Sequence, residues 1–264
     1  MKSLTLSALL TCCALPALAE DNWTWISEEL FGERALRDGA QVIAIDAPYR
    51  TQNDSRTQIA AQVAAPAGLN IGRVLVVLDD NPMPVSAVFA LDQPQPRFFF
   101  DVTMRINGPT PLHVVAETTD GQLFVAETFV KTSGQGACAA PPGTDPKEAL
   151  ATLGNMLIEA VPGPSSAQSL GALRLKQVDV DISHPSHSGM QMDQISLLFI
   201  PMRYVEDVRI DLDGAGYVDI TGSISLSENP RLGLSVPGKT RSVDVTMTDT
   251  DGTVSTAHKD LAAF

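Results

Sequence analysis

Few residues in this 264-residue chain have both the type and the setting to do chemistry, and the first is a cysteine. Cys138 lies in residues 132–144, TSGQGACAAPPGT, which hold three Gly, three Ala, two Pro, no charge and no large apolar side chain. Nothing in that composition anchors a segment in a core, and Gly134, Gly136 and Gly143 leave its backbone free. The expectation is a thiol exposed on a flexible loop, open to covalent attachment. No Lys, Arg or His lies within six residues of it, so no sequence neighbour lowers its pKa from about 8.5. The second cluster is His184-Pro185-Ser186-His187 with Met190 and Met192, a set of soft ligands that copper would accept. The same residues also read as a polar turn, because Pro185 and Gly189 punctuate them. Met190 and Met192 are then spaced like alternate residues on one strand face. The acidic pairs Asp79-Asp80 and Glu206-Asp207 read as solvated turn or edge residues. There is no His-Glu-x-x-His, no Gly-x-Ser-x-Gly, no phosphate loop and no strand–helix alternation, so independent catalysis is not expected.

The surroundings restrict the function classes further. Eighteen basic residues face 31 acidic ones, a net charge of −13. Such a surface repels phosphate backbones and anionic lipid, which argues against nucleic-acid and membrane partners. No apolar run reaches the roughly 18 to 20 residues of a spanning helix. Residues 1–19 have the form of a signal peptide: Lys2, an apolar stretch over 4–14, Pro16, then Ala17-Leu18-Ala19 at the cleavage site. Its removal would take Lys2, Cys12 and Cys13 with it. The exported chain would then carry 17 basic against 31 acidic residues, a net −14, and Cys138 as its one cysteine.

The elements that must position Cys138 read as strands in two groups. Residues 23–37 have apolar positions at helical spacing and predict a short N-terminal helix. Seven β-branched and aromatic runs follow at 41–45, 57–64, 74–79, 86–91, 98–106, 112–117 and 123–131. Asn81-Pro82-Met83-Pro84 and Asn107-Gly108-Pro109 break them, and Asp120-Gly121 is a hairpin turn. After the Cys138 segment, Asp145-Pro146-Lys147-Glu148 is a helix start, with a helix expected to carry Leu150, Leu153, Met156 and Ile158 towards Ala160. Residues 161–169 read as a Pro/Ser/Gly linker. A second group of seven runs covers 173–182, 195–200, 205–212, 217–225, 232–236, 243–248 and 253–259. Thr119-Asp120-Gly121 with Ala126 also echoes Thr250-Asp251-Gly252 with Ala257. The fold class expected is all-β, two tandem immunoglobulin-like β-sandwiches joined by a Cys-bearing loop and a short helix. The boundaries are 20–131 for the first sandwich, 132–169 for loop, helix and linker, and 170–264 for the second.

At this level the chain resembles the two-subunit sulfur carriers of periplasmic sulfur oxidation, SoxY and SoxZ. VLVVLDDNPMPVSAVF at 74–89, Arg105, and VVAETTDGQLFVAETFVK at 114–131 resemble SoxY and lead into the Cys138 segment. His184-Pro185 to Gly189, Ile200-Pro201 to Val205, Glu228-Asn229-Pro230 and residues 250–257 resemble SoxZ. The resemblance implies a fused carrier, similar to the SoxYZ-like carriers associated with quinoprotein dehydrogenases. It implies no tightly bound cofactor but a covalent sulfur adduct on Cys138, handled by periplasmic sulfur-oxidising enzymes or cytochromes. Gly134, Gly136, Ala137, Ala139 and Ala140 then form the carrier loop. The family's arm is Gly-Gly-Cys-Gly-Gly at a free chain end, whereas here Gly136-Ala137-Cys138-Ala139-Ala140 is tied at both ends. Six residues a side allow roughly 20 Å of reach at about 3.3 Å per residue. Two other functions stay open: a non-catalytic accessory module of a periplasmic PQQ-dependent alcohol dehydrogenase system, and a periplasmic copper-binding protein. A disulfide-linked homodimer through Cys138 is compatible with any of these.

Overall fold

The computed structural model describes residues 22–134, 136–162 and 175–261. The leader-like residues 1–19 and most of the expected linker lie outside this range. The first half contains helix α1 (Asn22–Phe31), a short strand β1 (Leu36–Asp38), and then seven strands. These are β2 (Ile43–Asp46), β3 (Thr57–Ala64), β4 (Ile71–Leu78), β5 (Val85–Gln95), β6 (Arg97–Met104), β7 (Thr110–Thr118) and β8 (Leu123–Val130). Helix α2 (Pro146–Thr152) leads into the second half. There the strands are β9 (Met156–Pro162), β10 (Leu175–Ile182), β11 (Val205–Leu212), β12 (Ala215–Gly222), β13 (Arg231–Pro237), β14 (Ser242–Asp249) and β15 (Val254–Asp260).

Two layers result. The nine-stranded sheet has the order β1-β8-β7-β4-β5-β12-β11-β14-β15, and the six-stranded sheet β2-β3-β6-β13-β10-β9. Outside β1, the two orders are mirrored about the β5–β12 and β6–β13 pairs, with β2 to β8 corresponding one for one to β9 to β15. The halves are thus two similar immunoglobulin-like sandwiches joined edge to edge in both sheets. Residues 87–91 pair antiparallel with 218–222, and residues 100–102 with 232–234. One hydrophobic core runs through the seam, including Phe89, Phe98, Phe100, Tyr217, Leu232 and Leu234. The Phe89 ring stacks on Phe100 at 4.7 Å and meets Phe98 at 59°. The Tyr217 hydroxyl, carried into this core, donates to the Ser235 carbonyl, and burial pushes its pKa up to about 12. Shared sheets leave neither β5 nor β6 as an open edge, which each sandwich alone would expose.

Several sequence expectations are corrected here. The N-terminal helix stops at Phe31 rather than Arg37, because Gly32 turns left-handed at φ +59 and its N–H closes on the Glu28 carbonyl. Leu36–Asp38 then pairs parallel with β8. Helix α1 puts Phe31 on Leu75, Val115 and Leu123 on the outer face of the nine-stranded sheet. Both faces of β4 are therefore covered, which explains its unbroken apolar run from 74 to 78. The second helix is capped by Asp145 as expected, its side chain accepting from the Lys147 and Glu148 amides. It ends at Thr152, not near Ala160. Gly154 (φ +81) stops it, and a Cβ there would lie 2.0 Å from Ser255 Oγ. Residues 156–162 become β9, paired with β10, because an unpaired β10 edge outweighs the helical propensity of Met156 and Leu157. The strand expected at 195–200 is absent. Asp193 Oδ1 accepts from the Ile195 and Ser196 amides, Leu197 adopts φ +58, and Ile195, Leu198 and Phe199 project into solvent. Seven sandwich strands per half remain, β1 being an addition to the first, with β9 taking the place of 195–200 in the second. The Asp120-Gly121 and Asp251-Gly252 turns close the equivalent hairpins β7–β8 and β14–β15, with both glycines left-handed.

Candidate functional site

The segment between β8 and α2 lies across the seam and is fastened from both sides. At its start, Ser133 donates from its amide to Asp54 Oδ2 at 2.9 Å and from its hydroxyl to the same oxygen. Burial works to raise the Asp54 carboxyl, but the hydrogen bonds from Ser133 and Thr51 outweigh it and hold the pKa below the ordinary value. Gly136 takes φ +72, and the Ala139 amide bonds back to its carbonyl at 3.0 Å, forming one tight turn around Cys138. The Cys138 amide donates to Asn107 Oδ1 at 3.1 Å. The Ser188 hydroxyl donates to the Cys138 carbonyl, and Gln191 Nε2 donates to the Ala140 carbonyl at 3.0 Å. Beyond the turn, Glu228 accepts from the Gly143 and Thr144 amides at 2.8 and 2.9 Å. Asp54 and Asn107 come from the first half, and Ser188, Gln191 and Glu228 from the second.

The exposed thiol expected from composition is therefore corrected: Cys138 is 0% exposed, and Ala137 beside it is buried. The segment has no large apolar side chain to anchor it, so side chains from distant parts of the chain bind its main chain instead. Ala139 and Gly134 face solvent, while Ala140 and Gly136 are half-buried. Burial pushes the Cys138 pKa up, and the Arg105 charge acts in the opposite direction. A cation absent from the sequence neighbourhood is thus supplied in space. The sulfur forms neither a disulfide nor a hydrogen bond among the described residues.

Arg105 follows β6 and is the largest fully buried side chain, 2% exposed. Its Nη1 donates to the Ile224 and Leu226 carbonyls at 3.2 and 3.0 Å, across the seam. Burial lowers its pKa, while Cys138 and Glu228 favour the charge. Its backbone is also held, the carbonyl accepting from Asn81 Nδ2 at 2.9 Å. Next to it lies a cavity of about 580 Å³, walled by Arg56, Arg105, Ala137, Ala140, Gln191 and Glu228 among others. Arg56 reaches it by donating to the Glu228 and Asn229 carbonyls at 2.7 and 2.5 Å. Sequence reasoning singled out Arg105 only within a family resemblance, and missed Arg56, Asn107, Ser188 and Gln191. These lie 31 to 173 residues from their partners, so only the topology brings them together.

The copper candidates are distributed differently. His184 is buried, its Nδ1 accepting from the Ser186 amide at 2.9 Å and its Nε2 facing Asp249 Oδ2 at 3.3 Å. Burial drives its pKa down to about 4 despite Asp249. His187 Nδ1 pairs with Gln191 Oε1 at 3.1 Å, and Met190 and Met192 are each 39% exposed. Both nitrogens of His184 are thus occupied within the fold, in the polar turn that the sequence offered as the other reading. The same stretch carries Ser188 and Gln191, which bond the main chain of the Cys138 segment.

Fold and site together define a β-sandwich protein that stores one cysteine on the seam between two similar halves. Residues 27–138 match the family model of the sulfur oxidation protein SoxY, and residues 168–260 that of the sulphur oxidation protein SoxZ. The chain belongs to the SoxYZ-like sulfur-oxidation carriers, as a fused form with both parts in tandem. Among solved structures it is similar to the sulfur carrier protein SoxY from Chlorobium limicola f thiosulfatophilum. The identity is 21% over 42% of this chain and 90% of that one, with a TM-score of 0.35. It is also similar to the T24K superoxide reductase (neelaredoxin) from Ignicoccus hospitalis, at 17% identity over 35% of this chain and 80% of that one, TM-score 0.29. No curated protein matches the chain.

Proposed function

We propose that this chain is an exported carrier that holds a sulfur intermediate as a covalent adduct on Cys138 Sγ and presents it to periplasmic sulfur-oxidising enzymes or cytochromes. The observation that carries this reading is the way the segment is fastened: every tie is to main-chain atoms or to Ser133, and the sulfur is left uncommitted. The ties can be released and remade without consuming the thiol. With thiosulfate as donor, loading joins the Cys138 sulfur to the outer sulfur of thiosulfate. One proton is released to solvent and two electrons pass to an oxidising partner of the cytochrome class. Export rests on the leader-like residues 1–19. A disulfide-linked dimer requires the segment to open first, since the thiol is enclosed in this conformation.

The test is intact mass spectrometry of protein purified from its native host, with and without thiol reductant, and peptide mapping across 132–147. The expected result is a reductant-labile sulfur-containing mass on Cys138, and a Cys138→Ser protein that folds but does not support sulfur oxidation. A bare thiol under all growth conditions, with full function in Cys138→Ser, would instead assign the chain as an accessory module, the quinoprotein-linked role included.

A further inference from the structure

The loop between β10 and β11 carries an apolar surface that the fold does not use. Seven of the thirteen exposed large apolar side chains among the described residues fall within 190–202. Ile195, Leu197, Leu198 and Phe199 are between 67% and 93% exposed, and none of the seven belongs to either hydrophobic cluster. The loop nevertheless has a defined shape. The Ile200 amide donates to the Gln191 carbonyl at 2.8 Å and the Asp193 amide to the Leu198 carbonyl at 2.9 Å, with bridges between His187 and Arg203 and between Met192 and Phe199. Asp193 is the one charged residue from 188 to 202, and its carboxylate is taken up by the Ile195 and Ser196 amides. Exposed apolar side chains that are clustered rather than scattered mark a contact surface.

The same loop holds the Cys138 segment closed. Ser188 ties the Cys138 carbonyl and Gln191 the Ala140 carbonyl, so drawing the loop away breaks two ties at once. A partner that grips the loop only when it is drawn away binds the open segment and not the closed one, and that difference shifts the population.

We propose that the 188–202 loop is the docking element for the enzyme that acts on Cys138, which receives Ile195, Leu198 and Phe199 in an apolar cleft with a basic margin and draws the loop off the segment. This rests on the carrier reading and deepens it by naming where the partner binds and how the thiol is exposed. The basic margin follows from charge. The chain carries a net −13, so a second copy or an anionic lipid surface approaches against repulsion, whereas a basic margin is attracted.

The test compares the full chain with the triple variant Ile195→Ser, Leu198→Ser, Phe199→Ser. These side chains lie outside both clusters, so the variant should match the unaltered protein in melting temperature and in the unassisted labelling rate of Cys138. The probe is a dialysed soluble extract of the native host, from a strain lacking this chain, and labelling is read on the Cys138 peptide by mass spectrometry. The extract should accelerate labelling of the unaltered protein about 5- to 150-fold, the factor for two hydrogen bonds, and the gain should shrink at high salt. The variant should gain nothing. No acceleration, or equal acceleration of both proteins, overturns the proposal. So does a dimer in sedimentation, or binding to phosphatidylglycerol vesicles, that the variant loses, since the loop would then serve a second copy or a lipid surface. Loop-dependent acceleration with no adduct on Cys138 in native protein would reject the carrier reading and leave the docking element standing. An adduct at full level on the variant in the host would do the reverse.

Discussion

Removing the Ser188 hydroxyl should open the Cys138 segment measurably. Three main-chain ties hold residues 138 to 140: Asn107 to the Cys138 amide, Ser188 to the Cys138 carbonyl and Gln191 to the Ala140 carbonyl. A hydrogen bond contributes about 0.5 to 1.5 kcal/mol net, so the three together hold the segment closed by about 1.5 to 4.5 kcal/mol. At 1.4 kcal/mol per factor of ten, the thiol of the unaltered protein should react roughly 10- to 1,000-fold more slowly than the same thiol in a peptide of residues 132–144. Ser188→Ala deletes one tie and leaves a buried carbonyl unsatisfied until the segment opens, which costs about 1 to 2 kcal/mol. Labelling by an aromatic disulfide should therefore accelerate about 5- to 30-fold, with the melting temperature of the whole protein little changed. The pH dependence has a fixed sign. Burial raises the Cys138 pKa, so the closed state is favoured while the thiol is protonated and loses its advantage as pH rises from the ordinary thiol value through the raised one. The labelling rate should keep rising at pH values where the peptide's rate has levelled off. Unaltered protein reacting as fast as the peptide, or Ser188→Ala reacting no faster than the unaltered protein, would refute the latch.

Two further measurements test the frame around the site. His184 has a folded pKa of about 4, depressed by burial from an ordinary 6.5, so stability should be full above about pH 6.5 and fall as pH drops towards 4, by roughly 3 kcal/mol at the limit. Thermal melts at pH 7 and 4.5 should show this drop in the unaltered protein and a smaller one in His184→Gln; equal drops in both would remove His184 from the account. Cleavage at a protease site placed between residues 163 and 174 should leave the two fragments migrating as one species in gel filtration, because both sheets continue across the seam and β9 stays paired with β10. Separation into two soluble fragments would contradict the shared sheets.

The strands were legible in the sequence where side-chain pattern and turn chemistry agreed. Thr57–Ala64 matches its expected bounds, and Asp120-Gly121 and Asp145-Pro146 fall where hairpin and cap chemistry placed them. The failures share one cause, a partner far away in sequence. Met156 and Ile158 are helix-compatible, and only the waiting edge of β10 makes them a strand. Ile195 and Phe199 have strand composition, but Asp193 turns the chain and leaves Phe199 only an isolated bridge to Met192. Cys138 looked exposed because its neighbours lack apolar bulk. Its burial depends instead on Asn107, Ser188, Gln191 and Glu228, which lie 31 to 85 residues from the atoms they bind. Asn107 carries only a turn-breaker signal, and the polar-turn reading of His184 to His187 gives no hint that Ser188 just beyond it ties down the Cys138 carbonyl.

The same residues explain how the Cys138 segment, tied at both ends, is kept closed. Freeing one residue's backbone returns about 1 to 2 kcal/mol of conformational entropy, and glycine gains the most. Ala137, Ala139 and Ala140 around Cys138, with Pro141 and Pro142 after them, therefore gain less on opening than a glycine-flanked arm would. A few polar ties suffice to hold them. The open state is then a minor one, and a partner that acts only on the open segment binds with its affinity reduced by that fraction, roughly 10- to 1,000-fold on the hydrogen-bond count. Such a partner must recover the difference through contacts with the opened segment. On the proposed carrier role, an enzyme that does not make those contacts leaves the thiol enclosed. Selectivity among partners thus follows from the closed state itself, before any recognition of the cargo.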